Sequence, residues 1–124
     1  MTQKFKVLVT RKWPSTVEKK LDENFDVTLN ESDIPMTEEQ LFEAMNNYDA
    51  VLPTVTDSIS SKIISSDNRK AKIIGNFGVG FNNIDIESAK SNGVVVTNTP
   101  EVLTDCTADI AMLLLLGVSR RASE

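Results

Sequence analysis

Three glycines within six residues form the stretch of this sequence that is best suited to chemistry. Gly75, Gly78 and Gly80 follow an apolar segment and precede Asp85, where a helix is expected to begin. Glycines let a chain turn sharply and let a ligand approach main-chain N–H groups closely. Successive N–H groups that face one concavity bind an anion without a cationic side chain. The stretch therefore predicts a site for a carboxylate or phosphate, although a loop that uses its glycines only to turn would have the same spacing.

Few side chains elsewhere in the sequence offer acid–base or nucleophilic chemistry. The chain has no histidine and a single cysteine, Cys106, which therefore lacks an imidazole partner. We expect Cys106 to be a small buried thiol rather than a nucleophile. Asp85, Asp105 and Asp109 are expected to be helix caps and first-turn acids rather than general bases. No metal site is predicted.

Composition places the chain among ordinary globular proteins and excludes two classes of partner. The 124 residues suffice for one domain with one core, and 40% are hydrophobic while 25% are charged. The net charge of −5 argues against nucleic acid, which is bound by clustered lysine and arginine. The longest apolar run, residues 110–118, is far shorter than the roughly 20 residues of a membrane span. With one cysteine and no signal-peptide pattern, we expect a cytoplasmic location.

Short apolar segments alternate with helical ones along the chain. The predicted strands are residues 5–10, 25–30, 49–53, 71–75 and 94–97. This alternation predicts βαβ units and an α/β fold with a parallel sheet. Five strands fit the flavodoxin-like order 2-1-3-4-5, with right-handed crossovers and helices on both faces. In that order the glycine loop (residues 76–84) lies beside the Thr54 loop (residues 54–58), at the sheet edge where ligands bind.

Paired polar residues predict where the earlier helices begin and end. Capping boxes or single caps are predicted at Ser15 with Glu18, at Thr37 with Gln40, and at Asp85. Gly93 follows the helix that starts after Asp85, and a glycine there suits a left-handed helix end.

The last helix differs from the others because it has almost no polar face. Thr104 is its predicted N-cap, and residues 108–118 are apolar nearly all round apart from Asp109. Such a helix must be covered on both sides, and nothing else in the chain is large enough to cover it. We expect further polypeptide to do so, or association through residues 113–116. Arg120 and Arg121 are expected to be the solvated helix end.

Three motifs resemble one enzyme family. They are Gly75-Asn-Phe-Gly-Val-Gly-Phe-Asn-Asn-Ile-Asp85, Ser91-Asn-Gly-Val-Val-Val-Thr-Asn-Thr-Pro100 and Leu103-Thr-Asp-Cys-Thr-Ala-Asp-Ile-Ala111. In this order and with these gaps they resemble the D-isomer-specific 2-hydroxyacid dehydrogenases, the glyoxylate/hydroxypyruvate reductase branch most closely. The resemblance covers essentially the whole chain, weakly over residues 1–70 and strongly from Lys72 onward.

The resemblance implies a two-domain architecture of which this chain is one part. Residues 1–99 correspond to the N-terminal segment of the substrate (catalytic) domain, and residues 100–124 to the hinge and first interdomain helix. The Rossmann cofactor domain, with its Gly-x-Gly-x-x-Gly turn, is absent from the chain. The family's catalytic arginine, glutamate and histidine also lie downstream. The resemblance therefore implies no catalytic residue in this chain, an inactive isolated polypeptide and a homodimeric parent.

The resemblance also assigns roles to residues at the predicted ligand edge. The residues assigned to the substrate are Thr54, Val55, Gly78, Val79 and Gly80. The main chain at Val79 and Gly80 would hold the carboxylate of a small 2-keto acid, which is reduced to the D-2-hydroxy acid. Val79 and Thr107 would contact the cofactor, NAD or NADP. At position 82, where many relatives carry an acid, this chain has Asn82, which leaves the glycine loop less repelled by negative charge.

Two non-enzymatic functions are compatible with the same fold. A response-regulator receiver would need acidic residues after strand 1 and an aspartate at the end of strand 3. Those positions hold Thr10-Arg-Lys12 and Pro53-Thr54, which disfavours a receiver. A dehydrogenase-like corepressor stays open, because the downstream histidine and glutamate would distinguish it from an enzyme.

Overall fold

The computed structural model describes residues 4–122, in which strands and helices alternate. In chain order they are β1 (Lys6–Val9), α1 (Ser15–Asn24), β2 (Asp26–Leu29), α2 (Glu38–Asn47), β3 (Ala50–Leu52), α3 (Ser61–Ile64), β4 (Ile73–Gly75), α4 (Ile86–Ser91), β5 (Val95–Thr97) and α5 (Thr104–Ser119). Residues 1–3 and 123–124 lie outside the described residues. They are the first residues of the predicted segment 1–99 and the last of the predicted segment 100–124.

The strands form one parallel sheet in the order β2-β1-β3-β4-β5. The predicted α/β class and the flavodoxin-like order 2-1-3-4-5 are confirmed. The register aligns Leu8 with Val51, and Val51 with Ile74. Because all the strands run in one direction, the loops that follow β1, β3 and β4 meet at the carboxyl edge of the sheet.

The core lies between the sheet and helices α2, α3 and α4, which right-handed crossovers place on one face. Leu8, Val51 and Ile74 are buried neighbours on that face. They belong to one cluster with Met45 of α2 and Ile63 of α3, neither of which is exposed to solvent. Burying one aliphatic side chain of this size contributes about 1.5 to 3 kcal/mol. This cluster therefore fixes the sheet that carries the ligand edge.

The opposite face of the sheet is only partly covered. Helix α1 lies over it and has no fully buried residue. Ile73 of β4 and its register neighbour Val95 of β5 are 45% and 57% exposed. A groove of about 470 Å³ runs along this face, and its lining includes Phe5, Leu21 and Ile73. Apolar surface therefore remains open beside α1.

The structure confirms three of the predicted helix signals. Thr37 Oγ1 accepts from the Gln40 N–H, and the Gln40 side chain accepts from the Thr37 N–H, which completes a capping box. Asp85 Oδ1 accepts from the N–H of Ser88 at 2.8 Å. Gly93 has a φ of +67°, a left-handed conformation that glycine adopts without a steric penalty.

Two predicted caps are wrong by one position. Helix α1 begins at Ser15 itself, with Pro14 as its N-cap, so no side-chain cap forms there. The Glu18 carboxylate instead accepts from the N–H of Trp13 at 2.8 Å. Helix α5 likewise begins at Thr104, after Leu103, without a side-chain cap. In both cases the polar residue lies inside the first turn, where its backbone is already helical.

Helix α5 is exposed along its whole length except for the half-buried Gly117. Leu113 and Leu114 expose 64% and 62% of their surfaces, since no described element covers this helix. The prediction that Cys106 is a buried thiol is wrong for the same reason, because its position near the start of α5 is exposed. None of the helices between residues 4 and 122 has the length and apolar character that crossing a membrane requires.

Candidate functional site

The glycine loop and the Thr54 loop lie side by side at the carboxyl edge of the sheet, as predicted. The N–H of Phe77 donates to the carbonyl of Pro53 at 2.8 Å, and Thr54 pairs with Phe77 in an isolated parallel bridge. A Cβ added to Gly78 would lie 2.3 Å from Cγ1 of Val55. Val55 and Gly78, both predicted to bind substrate, are therefore in contact with each other.

One asparagine side chain joins the two loops through several hydrogen bonds. Nδ2 of Asn83 lies 3.1 Å from the carbonyl oxygen of Thr54 and 3.0 Å from that of Asp57. The same nitrogen lies 3.1 Å from Oδ1 of the buried Asn76. Asn76 in turn donates from Nδ2 to the carbonyl of Gly80 at 2.8 Å. The position of Gly80 is thus linked to the Thr54 loop through two amide side chains.

A buried carboxylate anchors the Thr54 loop to the first strand. Oδ2 of Asp57 accepts from the hydroxyl of Thr10 at 2.6 Å and from the N–H of Thr54 at 2.9 Å. Asp57 and Thr10 are 2% and 0% exposed. Oδ1 of Asp57 is buried and has no hydrogen-bond partner among the described residues. The first strand, the Thr54 loop and the glycine loop are therefore connected by one polar network.

Two neighbouring peptide groups of the glycine loop are oriented by the residues that follow β5. The N–H of Thr99 donates to the carbonyl of Gly78 at 2.9 Å, and Nδ2 of Asn98 donates to the carbonyl of Val79 at 2.8 Å. No cis peptide bond occurs among the described residues, and in a trans peptide the N–H and C=O groups point in opposite directions. The N–H groups of Val79 and Gly80 therefore both point away from residues 98–99.

These two N–H groups are available to a ligand. No described residue accepts a hydrogen bond from the N–H of Val79 or of Gly80, and both residues are exposed. Two successive unpaired amides that face the same way bind an anion through their dipoles. The geometry can therefore accommodate a carboxylate, one of the two anions that the glycine spacing predicts.

Two of the three glycines of this stretch, Gly75 and Gly78, are required by close contacts. Of the described glycines only Gly93 has a positive φ, so none of the three glycines of this stretch adopts a left-handed backbone conformation. A Cβ on Gly75 would lie 2.7 Å from Cδ2 of Leu52, and one on Gly78 would meet Val55. A Cβ on Gly80 would have no atom within 4 Å. The space beside Gly80 is open to solvent.

The remaining predicted residues are separate from this network. Thr107 lies near the start of α5 and is exposed, and the structure brings it into hydrogen-bond contact with none of the predicted substrate residues. Val79 is 37% exposed and presents an apolar side chain beside the free amides. Asn82 is exposed. No group of acidic, cysteine or histidine side chains suited to a metal ion occurs in the part of the chain that the structure describes.

The loop after β1 contributes a cation to the same edge. The Arg11 guanidinium lies 3.0 Å from Oδ1 of Asp33 and donates to Oγ1 of Thr56 at 3.1 Å. The N–H of Lys12 donates to the same carboxylate oxygen at 2.9 Å. This backbone hydrogen bond and the Arg11 guanidinium hold the pKa of Asp33 below its ordinary value. Arg11 therefore connects the loop after β1 to Thr56, and its charge is paired with Asp33.

An aromatic pair lies next to the glycine loop. The rings of Trp13 and Phe77 have centroids 4.9 Å apart and planes tilted by 40°. Trp13 is the only tryptophan in the chain. Its fluorescence therefore reports on the start of the glycine loop.

Sequence reasoning missed the residues that fix this site. Asp57 lies in a segment that the sequence marks only as a polar loop, and Asn76 and Asn83 lie in the glycine loop, where only the glycines and Val79 were predicted to bind a ligand. Asn76 directly follows β4 and Thr10 directly follows β1. Polar residues at these two strand ends could have been predicted to lie at the ligand edge of the sheet.

Comparison with known proteins identifies relatives along nearly the whole chain. A glyoxylate reductase from Thermococcus onnurineus is 42% identical over 119 residues, which are 96% of this chain and 35% of that protein. A glycerate dehydrogenase from Hyphomicrobium methylovorum is 35% identical over 98% of this chain and 38% of its own length. The chain thus spans little more than a third of these relatives.

A solved structure shares the fold. The cofactor (NAD+)-bound 3-phosphoglycerate dehydrogenase of Entamoeba histolytica superposes with a TM-score of 0.71 at 26% identity, over 92% of this chain and 39% of that one. Residues 7–123 match the family described as D-isomer specific 2-hydroxyacid dehydrogenase, catalytic domain. This chain therefore belongs to the D-isomer specific 2-hydroxyacid dehydrogenase family.

Proposed function

We propose that this chain is the substrate-binding portion of an NAD(P)-dependent oxidoreductase that reduces a small 2-keto acid, of the glyoxylate or hydroxypyruvate type, to the D-2-hydroxy acid. The observation that carries the proposal is the pair of unpaired N–H groups at Val79 and Gly80, which face away from residues 98–99. An acid group accepts from both amides, and this fixes the orientation of the keto carbon relative to the loop.

Residues of the Thr54 loop determine which keto acid fits. Val55 is 54% exposed and contacts Gly78, so its side chain borders the space in front of the amides. The hydroxyl oxygens of Thr54 and Thr56 are hydrogen-bonded to each other at 2.9 Å. A substituent on the keto carbon would lie beside Val55, so the size of this side chain is expected to limit the size of the substrate. This supports a two- or three-carbon substrate, in agreement with the glyoxylate reductase and glycerate dehydrogenase relatives.

Val79 and Thr107 are the residues of this chain that would hold the nicotinamide cofactor. Val79 offers an exposed apolar surface beside the amides, and Thr107 an exposed hydroxyl, and both suit a planar ring that carries an amide. The cofactor, when bound, supplies the hydride. The chain has no histidine, so the imidazole that commonly donates the proton in such chemistry must come from other residues.

Further polypeptide is required to complete the site. The open face at Ile73 and Val95 and the uncovered helix α5 are apolar surfaces of the kind that another domain buries. We propose that residues 1–99 belong to the substrate domain, that residues 100–124 form the hinge and first interdomain helix, and that a Rossmann domain lies elsewhere in the parent. A single cysteine fits a cytoplasmic parent, and we propose a homodimeric parent because the family resemblance implies one.

An NMR titration of the 124-residue chain tests the proposal. Glyoxylate is expected to shift the backbone amide signals of Val79 and Gly80 and to change the fluorescence of Trp13, which packs beside the loop. Glycolaldehyde also has two carbons but carries no carboxylate, and it is expected to leave these signals in place. Glyoxylate shifts that are absent, or confined to other residues, would refute the proposal.

The isolated chain is expected not to catalyse the reaction. Without a histidine and a cofactor domain, it should oxidise neither NADH nor NADPH in the presence of glyoxylate. Measurable oxidation by the purified chain would contradict this expectation.

A further inference from the structure

The segment between β5 and α5 binds the glycine loop on the side opposite its free amides. Residues 98–100, the hinge segment, contribute two donors to adjacent carbonyls, the Thr99 N–H to Gly78 and Nδ2 of Asn98 to Val79. The first donor belongs to the main chain and survives any substitution of the Thr99 side chain except proline. The second is a side chain, so its contribution depends on residue type at position 98.

Among the described residues, only the Asn98 amide donates to the Val79 carbonyl, and this hydrogen bond orients the Gly80 N–H. The Val79 carbonyl and the Gly80 N–H belong to the same peptide group, so an acceptor fixed at one end fixes the donor at the other. Val79 and Gly80 are both exposed. A Cβ on Gly80 would meet nothing within 4 Å, and the next peptide group along the chain is held separately, by Nδ2 of Asn76 at the Gly80 carbonyl. No other described residue donates to the Val79 carbonyl.

We propose that Asn98 is a positioning residue for acid recognition, which turns the Val79–Gly80 peptide group so that the Gly80 N–H faces the ligand. The inference rests on the proposed function. It extends that function by assigning half of the carboxylate contact to a side chain in the hinge segment. The neighbouring peptide group, held by the Thr99 N–H, does not depend on Asn98. The two amides therefore respond differently when Asn98 is changed.

The test compares Asn98→Ala with a matched surface asparagine. Asn24 also donates from Nδ2 to a backbone carbonyl, that of Lys20 at 2.7 Å, within α1. Glyoxylate affinity is measured by amide shifts and Trp13 fluorescence. Asn98→Ala is expected to weaken glyoxylate binding about threefold to tenfold, the effect of losing one hydrogen bond. Asn24→Ala is expected to bind as the unchanged chain does.

A second readout separates positioning from a general structural role. In Asn98→Ala the glyoxylate-induced shift of the Gly80 amide is expected to fall sharply, while the Val79 amide keeps its shift at saturation. Asn98→Leu has a side chain of similar shape without a donor and without a new charge beside the acid group, so it should reproduce this selective loss and can stand in if the alanine variant unfolds. Equal attenuation at Val79 and Gly80 would indicate a structural role and overturn the inference.

The outcomes distinguish the inference from the function on which it rests. If the unchanged chain binds no glyoxylate, the proposed function fails. If the unchanged chain binds glyoxylate, and Asn98→Ala and Asn98→Leu bind it as tightly as Asn24→Ala does, the function stands and the role of Asn98 is wrong.

Discussion

Thr10, at the end of the first strand, donates its hydroxyl to Oδ2 of Asp57 over 2.6 Å, with both residues buried. The same oxygen accepts from the N–H of Thr54. One carboxylate oxygen thus joins two sequence segments that are 47 positions apart. The position of the Thr54 loop depends on this junction.

Removal of the Asp57 carboxylate should therefore loosen the Thr54 loop. Asp57→Ala leaves the Thr54 N–H without its acceptor and opens a buried space, so we expect a loss of about 2 to 3 kcal/mol in the free energy of unfolding. Urea denaturation measures this loss. Ser58→Ala is the control, because Ser58 is exposed and makes no hydrogen bond with any described residue. An equal effect in both variants would contradict the anchoring role.

Substitutions at the adjacent residues Asn82 and Asn83 should have very different effects. Asn83→Ala removes the amide that contacts the carbonyls of Thr54 and Asp57. Because these partly buried carbonyls lose their donor, we expect a loss of about 1 to 3 kcal/mol. Asn82 is exposed, so Asn82→Ala should stay within about 0.5 kcal/mol of the unchanged chain. Chemical denaturation of both variants side by side provides the comparison.

The two glycines at the predicted carboxylate site should differ in their tolerance of alanine. Gly78→Ala forces Val55 out of its rotamer, at a cost of about 1 kcal/mol, because the new Cβ would lie 2.3 Å from Val55 Cγ1. That cost should disappear in a Val55→Ala background. Gly80→Ala has room for its Cβ and should leave stability within about 0.5 kcal/mol.

Glyoxylate binding by the same variants distinguishes packing from ligand contact. Gly80→Ala places a methyl group in the open space beside the free amides and should weaken glyoxylate binding despite normal stability. Thermal unfolding and the NMR titration are measured on one sample. Unchanged affinity in Gly80→Ala would show that the ligand does not use this space.

The stabilising effect of Asp49 should depend on pH. The N–H of Lys6 donates to Asp49 at 2.8 Å, and the Lys70 ammonium lies 3.1 Å from it. The backbone hydrogen bond, followed by the lysine, lowers the pKa of Asp49 below its usual value. A carboxyl with a lower pKa in the folded state stabilises the fold above its unfolded pKa of about 3.9. That contribution is lost as the pH falls through the folded-state pKa.

Asp49→Ala should therefore destabilise the chain by about 1 to 2 kcal/mol at pH 7. The difference from the unchanged chain should shrink as the pH falls below about 4. Urea unfolding at pH 7 and at pH 3 measures both values. Asp67 is exposed and has no ion pair with any described residue, so Asp67→Ala is the control and should stay within about 0.5 kcal/mol of the unchanged chain at pH 7. A pH-independent effect of Asp49→Ala would contradict the linkage.

The strand order and several helix ends were predictable because they depend on local sequence. Alternating apolar segments determine a parallel sheet once the handedness of crossovers is given. The Thr37 capping box and the Asp85 cap need only residues three positions apart. The position of the glycine loop beside Val55 followed from the sheet order, and the structure confirms it.

The polar network was not predictable, because its members are distant in sequence. Asn83 bonds to carbonyls 26 and 29 residues away, and Asp57 to a hydroxyl 47 residues away. A polar residue in a loop is exposed by default, and only the assembled edge shows which ones are buried. The errors at Ser15 and Thr104 arise because a serine or threonine can cap a helix or begin it. Cys106 is exposed because no described residue covers this part of helix α5, and its sequence neighbourhood does not show that.

The two amides of the glycine loop are main-chain groups, and this affects how the protein could be altered by mutation or design. Any substitution at position 79 or 80 other than proline leaves both N–H groups in the main chain. Changes at Val55, by contrast, alter the shape of the space in front of them. In the proposed site, the donors to an acid group would therefore survive most substitutions, whereas the choice among acids would change with the side chain at position 55.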